Sequence, residues 1–397
     1  MKKTATLLLT LCLLLMAFAS TKAQTIVYNS TSSQYYRIPA MATAYDGTLL
    51  LFGDNRYSHN ADVGSSGNAR IDVMLTRVSY NTSSATYSSP STSTATNITS
   101  GYSSISQCYG DAAVVADRES NNVRLICVGG SNGWTSNKEH YTMLSTNNGQ
   151  TWSTPTLLSV PNTSDINGFF FASGRIFQSR VIKNGSYYRI YTALLTPAYE
   201  NRVYYSDDFG GSWTQLGGTA VTSGDEAKLE ELPNGDVIIS SRYAGGRRFN
   251  KYHYTNTATA AGSWGTQGSC AFTAGCAVNG EMLTFEAYRT SDNTQVTLML
   301  LSTATGYSRI SVKVFYREID NNTTVSDLSN INNWSSYGPL PNTSSSGAYS
   351  TMTLLKNNNI GLFYEGQSEA GYDLYYIAYT LEELTNQAYT FDEPVVV

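Results

Sequence analysis

Apolar and polar residues alternate in short runs of strand length along most of the chain, and Ser, Thr, Asn and Gly gather between the runs. The clearest unit joins Arg202-Val203-Tyr204-Tyr205 to Thr214-Gln215-Leu216 through Ser206-Asp207-Asp208-Phe209-Gly210-Gly211-Ser212-Trp213. Two β-prone runs around a short polar loop predict a hairpin. In it, Asp208 can bond its own backbone in an Asx-turn, Gly210 supplies the positive φ of the reversal, and Trp213 restarts the strand with a large apolar side chain. Ser145 to Trp152 repeats the unit with Asn147 in the Asp place, and its tryptophan lies 61 residues before Trp213. Trp264 comes 51 residues after Trp213 and Trp334 another 70 later, while Ser79 to Tyr87 repeats the loop one residue too long, with Tyr in the Trp place. Self-similarity at roughly 50 to 60 residues, in chain that reads as strands, predicts propeller blades of four antiparallel strands. Dividing the chain by the repeat predicts an all-β, six-bladed β-propeller. Helical patterning is confined to Thr380-Leu381-Glu382-Glu383-Leu384, which reads as a short capped helix.

The pattern differs at the start. Lys2 and Lys3 precede an apolar run from Thr4 to Phe18, and Thr21-Lys22-Ala23 offers a small-residue cleavage site before Gln24. This predicts a secretory signal peptide over residues 1–23. The run is short for a membrane anchor, and no second apolar stretch approaches ~20 residues. The expectation is an exported protein (periplasm, cell surface or medium) whose residues 24–397 form one propeller domain, since no linker divides them. Removing the leader takes away three Lys and moves the formal charge from −5 to −8. That balance argues against nucleic acid and anionic membranes as partners, but permits an anionic substrate where arginines gather locally. Cys108, Cys127, Cys270 and Cys276 remain, compatible with two disulfides, including a short Cys270 to Cys276 loop, or with free thiols. His59, His140 and His253 show no metal-ligand spacing.

Several stretches carry candidate chemistry. Tyr36-Arg37-Ile38-Pro39 sets an arginine in an apolar, strand-like run, where it needs an anionic partner or a cavity because an unpaired buried charge is costly. Gly53-Asp54-Asn55-Arg56 is followed by Asn60-Ala61-Asp62-Val63-Gly64, and Gly110-Asp111 opens another apolar run. Asp225 to Gly235 leads into Val237-Ile238-Ile239-Ser240-Ser241-Arg242. Period two puts Glu226, Lys228 and Glu230 on one face, so alternation leaves the choice between Glu226 and Glu230 open.

In this order the stretches resemble the sialidase (neuraminidase) family of glycoside hydrolases. Ser206 to Trp213 resembles its Asp-box, Ser-x-Asp-x-Gly-x-Thr-Trp, which several unrelated propellers share, and Tyr36 to Pro39 is similar to its Phe-Arg-Ile-Pro motif. The resemblance implies that Asp62 is the general acid/base, that Arg56 occupies a substrate-pocket position and that Asp111 contacts the sugar. It selects Glu226, sixteen residues before the second pocket arginine Arg242, as the base that polarises the nucleophile. Arg309 matches the third pocket arginine, Tyr349 the nucleophile, and Glu365 the brace of the first arginine, Arg37. The departures, Tyr36 for Phe, Asn147 for Asp and degenerate boxes elsewhere, touch blade boundaries rather than chemistry.

The implied activity is an exo-α-sialidase that hydrolyses terminal sialic acid from oligosaccharides, glycoproteins or glycolipids with retention, through a covalent tyrosyl intermediate. Three guanidiniums answer the sugar carboxylate, with a bidentate grip that lysine lacks. A neutral tyrosine avoids the repulsion that carboxylate would exert on an Asp or Glu nucleophile, which is how sialidases depart from the two-carboxylate pattern. No metal or organic cofactor is required, and the expected state is a monomer. The alternatives are a trans-sialidase, including the intramolecular kind with loop aromatics such as Trp134 near the acceptor, and a sialoglycan-binding propeller without catalysis. The latter should have lost one of Asp62, Glu226 and Tyr349, all present here; propellers that cut neutral glucans have no need of three arginines.

Overall fold

The alternating runs pair into six small antiparallel sheets arranged as a six-bladed β-propeller, seen here in a computed structural model that describes residues 24–64, 70–104, 107–273 and 278–392. The expected leader and Cys276 lie outside those residues. Blade 1 comprises Gln34–Thr43, Leu49–Tyr57, Ile71–Val78 and Thr96–Asn97; blade 2, Cys108–Ala116, Val123–Gly130, His140–Ser145 and Thr156–Leu157. Blade 3 comprises Phe177–Asn184, Tyr187–Leu195, Asn201–Ser206 and Thr214–Val221; blade 4, Ala227–Glu231, Val237–Tyr243, Gly246–Asn256 and Ala261–Trp264. Blade 5 comprises Glu281–Arg289, Thr294–Ala304, Val312–Ile319 and Ser335–Tyr337. Blade 6 takes Ser350–Leu354, Ile360–Ser368 and Gly371–Tyr379 from the end of the chain and its fourth strand, Thr25–Tyr28, from the beginning, with Thr25 opposite Tyr376. That strand closes the ring.

Each Asp-box turns a third strand into a fourth. Ser206 Oγ accepts the Gly210 N–H at 2.7 Å, Asp208 Oδ1 accepts that of Ser212 at 2.9 Å, and Gly210 has φ 84°. Asn147 reproduces the backbone bond, accepting the Thr151 N–H at 2.9 Å, but its amide nitrogen donates to Thr151 Oγ1, whereas Asp208 accepts from Ser212 Oγ. Asn is therefore a working substitute. Trp213 is buried with Phe209, Tyr204 and Leu194 against Val115 and Ile126 of blade 2. Burying such a side chain contributes about 1.5–3 kcal/mol.

The first strands of the blades line the axis, where the fully buried Lys228 of blade 4 holds its Nζ 4.0 Å from Glu281 of blade 5. A cavity of about 260 Å³ opens at one end and one of about 400 Å³ at the other. The expected helix is present as Leu381–Thr385, capped by Thr380 and Glu383. A second helix, Val325–Leu328, escaped the sequence reading: its four residues are too few for a helical period, and its capping box uses Asp327 rather than Glu or Gln. Cys127 and Cys270 are buried thiols, the latter pushed up to about 11 by burial. His140 is buried, and burial drives it down to about 3, so it stays neutral.

Candidate active site

The smaller cavity lies where two first strands are bulged. Pairing shifts register between Arg37 and Ala40 in blade 1 and between Gly110 and Ala113 in blade 2. Ile38 and Asp111 take φ values of 60° and 53°, a strained region for a β-branched residue above all. Each bulge is pinned by a buried carboxylate from the second strand of the preceding blade in the ring. The Ile38 N–H donates to Glu365 Oε1 at 3.0 Å, and the Asp111 N–H to Asp54 Oδ1 at 2.9 Å.

Glu365 is a hub. Its carboxylate also accepts Arg37 Nε at 2.6 Å and the Tyr349 backbone N–H at 3.2 Å. Arg37 is thereby held with its guanidinium carbon 5.6 Å from the centre of the Tyr349 ring and 4.9 Å from that of Tyr372. On the hydroxyl side, Tyr349 Oη donates to Glu226 Oε2 at 2.8 Å; Arg242 Nη1 donates to the same oxygen at 2.7 Å and lies 3.1 Å from the phenol oxygen. The Arg309 guanidinium carbon is also 5.6 Å from the ring centre. Arg309 has φ 51°, and its carbonyl accepts the Gly347 N–H at 2.7 Å. Three guanidiniums therefore surround one phenol. Burial, and then the Glu226 charge, hold that phenol well above the usual tyrosine range, while Arg242, Arg309 and Arg37 pull the other way. A neutral phenol already bonded to a carboxylate is poised to lose its proton only as it forms another bond.

Asp62 stands on the exposed side, with Arg56 Nη1 at 2.7 Å. Burial alone would raise its carboxyl, but the charge and hydrogen bond of Arg56, with Arg37 and Arg309, hold it below the usual range. Asp225 also lines the cavity, 3.4 Å from Arg242, and is pushed up to about 6 by burial and the neighbouring Glu226. The remaining wall is apolar: Val63, Val128, Phe170 and Leu195, with Trp134 and Tyr199 meeting edge to face at 6.0 Å. The site thus has a charged half and an apolar half.

Of the residues singled out from the sequence, Asp62, Asp111, Glu226, Arg242, Arg309 and Tyr349 line this cavity. Arg37 and Glu365 lie directly behind Tyr349. Arg56 is fully buried and meets the cavity through Asp62. Glu230, the alternative that alternation left open, bonds Arg175 and Thr284 farther along the axis. Asp54, Asp225 and Tyr199 were missed. Asp54 was within reach, because it sits two residues before Arg56 on the same face of one strand; Tyr199 belongs to a loop with no pattern of its own. Among the described residues, no group of three or more His, Cys, Asp or Glu is arranged to hold a metal ion.

Known proteins match this architecture. The intramolecular trans-sialidase from Ruminococcus gnavus is 16% identical over 92% of this chain and 99% of its own, with a TM-score of 0.67. The NanB sialidase from Streptococcus pneumoniae is 16% identical over 92% of this chain and 71% of its own, with a TM-score of 0.68. The Hadza microbial sialidase Hz136 is 18% identical over 91% of this chain and 69% of its own, with a TM-score of 0.67. At these identities the likeness is one of fold. No curated protein matches in sequence. The BNR repeat-like domain family, however, matches residues 63–278, more than half of the chain, across both well-formed Asp-boxes. This six-bladed propeller is a member of the BNR, or Asp-box, repeat family and shares its fold with sialidases.

Proposed function

We propose that the protein is an exo-α-sialidase acting with retention through a glycosyl-tyrosine intermediate. The observation that carries this reading is the 2.8 Å bond between Tyr349 Oη and Glu226 inside a ring of three arginines. Arg37, Arg242 and Arg309 bind the carboxylate borne on the anomeric carbon. Tyr349 attacks that carbon while Glu226 takes the phenolic proton, and Asp62 protonates the departing glycosidic oxygen. Water then reverses the sequence, activated by Asp62. The bound carboxylate offsets the arginine charges that hold Asp62 low in the empty site, so substrate binding itself favours the protonated acid. A cavity of about 260 Å³ suits one terminal sugar rather than an internal stretch of glycan, with the apolar half against an acyl substituent.

A second reading, intramolecular trans-sialidase, draws on the likeness in fold to the Ruminococcus gnavus trans-sialidase and on the Trp134–Tyr199 wall. Incubation with sialyllactose, with and without excess acceptor, separates the two. Free sialic acid supports hydrolysis, an anhydro sugar or a resialylated acceptor supports transfer, and intact substrate refutes both. We also propose that residues 1–23 direct export; N-terminal sequencing of the protein recovered outside the cytoplasm should begin at Gln24.

A further inference from the structure

Asp54 is wholly buried on the second strand of blade 1. One of its oxygens accepts Arg56 Nη2 at 3.0 Å and Nε at 3.3 Å; the other accepts the Asp111 N–H at 2.9 Å. Arg56 turns its remaining edge outward, giving Nη1 to Asp62 at 2.7 Å and to the Asn60 carbonyl at 3.3 Å. The guanidinium is therefore a bridge with a buried carboxylate at one end and an exposed one at the other. The backbone leaves room for it: a Cβ at Gly110 would lie 2.9 Å from Asp54 Oδ2.

We propose that Asp54 is a positioning residue for the general acid: it fixes the Arg56 edge that Asp62 meets, and its charge offsets that of Arg56, so that Asp62 can hold the proton it donates. The proposal rests on the assignment of Asp62 as the acid in the reaction above. Asp54 and Asp62 share one guanidinium, with the charge of Asp111 also acting on it, and each negative charge makes the next proton harder to lose. Burial pushes Asp54 up to about 6 against the pull of Arg56. The other groups facing the cluster do not supply this balance. Arg37 faces Arg56 and, with Arg309, faces Asp62, adding positive charge, and Glu226 faces Asp111. The Cys108 and Cys127 thiols are held neutral by burial, and Asp72 on the next strand is paired with Arg70 at 2.7 Å. Asp54 is the carboxylate that both touches Arg56 and is shielded from solvent.

Asp54→Asn keeps the shape and removes the charge. Asp62 then faces Arg56 without its counterion, loses its proton more readily, and is protonated over a narrower range. The basic limb of kcat should move down by about one pH unit. At neutral pH, kcat on sialyllactose, whose leaving group needs protonation, should fall by up to about tenfold, whereas an aryl sialoside with an acidic leaving group should change by less than about twofold. A role confined to packing would slow both substrates alike and leave the limb in place, and that result would overturn the proposal. Carboxyl carbon titration of Asp62 by NMR reads the same coupling in the ligand-free protein and does not depend on turnover. Should Asp54→Asn fail to fold, Asp62→Asn changes an exposed residue, and linkage then requires the Asp54 titration to fall by the same amount. An unmoved partner carboxyl would defeat the proposal. A wild type inactive on both sialosides would instead defeat the assigned reaction, with the titration still deciding the coupling.

Discussion

The two ends of the propeller axis are built from the same strands and nearly the same ingredients, yet offer opposite chemistry. At the far end Arg118, Arg175 and Arg180 face Glu230 and Glu286 around the larger cavity, about 400 Å³. There, Arg175 bonds Glu230 and the Met282 carbonyl; Arg180 bonds Thr284 and the Glu231 carbonyl; Arg118 bonds the Gln178 carbonyl at 2.9 Å. Each of the three is thus tied to backbone carbonyls of the strands around it. At the near end Glu365 takes one edge of Arg37, and Arg37, Arg242 and Arg309 converge on a phenol beside open space. Three arginines beside a cavity are therefore not a site by virtue of their number or of the cavity's size. What matters is what the guanidiniums face: backbone carbonyls at the far end, and the Tyr349 phenol at the near end.

The sharpest way to break this contrast is Tyr349→Phe, which deletes one oxygen and leaves the ring packed. Turnover of a sialoside should fall by about three orders of magnitude or more, with the melting temperature nearly unchanged; a fluorinated sialosyl donor should label the wild type at Tyr349 and fail to label the variant there. Turnover at the wild-type rate would return Tyr349 to the ordinary strand tyrosines. Next comes a paired test of the arginines. Arg309→Lys retains charge but not the planar fork, a loss of about 1.5–3 kcal/mol and hence at least tenfold in kcat/KM, whereas Arg180→Lys at the far end should leave kcat/KM within about twofold. Equal losses would dissolve the distinction between the two mouths.

A third test inverts the readout. Glu230→Ala leaves Arg175 without its carboxylate and should lower stability by about 3–5 kcal/mol in urea denaturation, while activity per folded molecule stays unchanged. The smallest effect is expected from pH. Asp54 and Asp225 have folded values of about 6 against an ordinary 3.8. The folded state therefore binds protons there before the unfolded chain does, and stability contributed by these two groups grows as pH falls from about 7 to about 4. Asp62 and Asp208, held low by their partners, act in the opposite sense and lose their contribution as pH falls below the ordinary carboxylate range. Calorimetry of the ligand-free protein should show a modestly higher melting temperature at pH 5.5 than at pH 7.5, and Asp225→Asn should flatten that slope.

The blades could be read from the chain because Asp-box turns are local: Ser206, Asp208, Gly210 and Trp213 act within eight residues of one another. Glu226 and Glu230 could not be separated by alternation, since Ala227–Glu231 is buried on both faces and the distinction lies in what stands across the axis, Tyr349 for one and Arg175 for the other. Asp225 was hidden for a similar reason. Its raised carboxyl follows from burial and then from Glu226 beside it, and burial is a property of the folded chain rather than of the local sequence. The strand Thr25–Tyr28 offers four residues and no partner nearby, so nothing in its own pattern assigns it to blade 6.

That strand has a consequence in time. Thr25 to Tyr28 must wait for Leu374 to Tyr376 before it can dock, and the seam it clasps runs beside the candidate site. Arg37 and Ile38 stand on one side, Glu365 and Tyr349 on the other, more than 300 positions apart along the chain. A nascent or C-terminally shortened polypeptide can assemble several blades and still lack the brace of its first arginine. Recovery of sialoside cleavage during refolding should therefore lag behind the appearance of β-structure, so that the proposed activity would report the chain's last folding step.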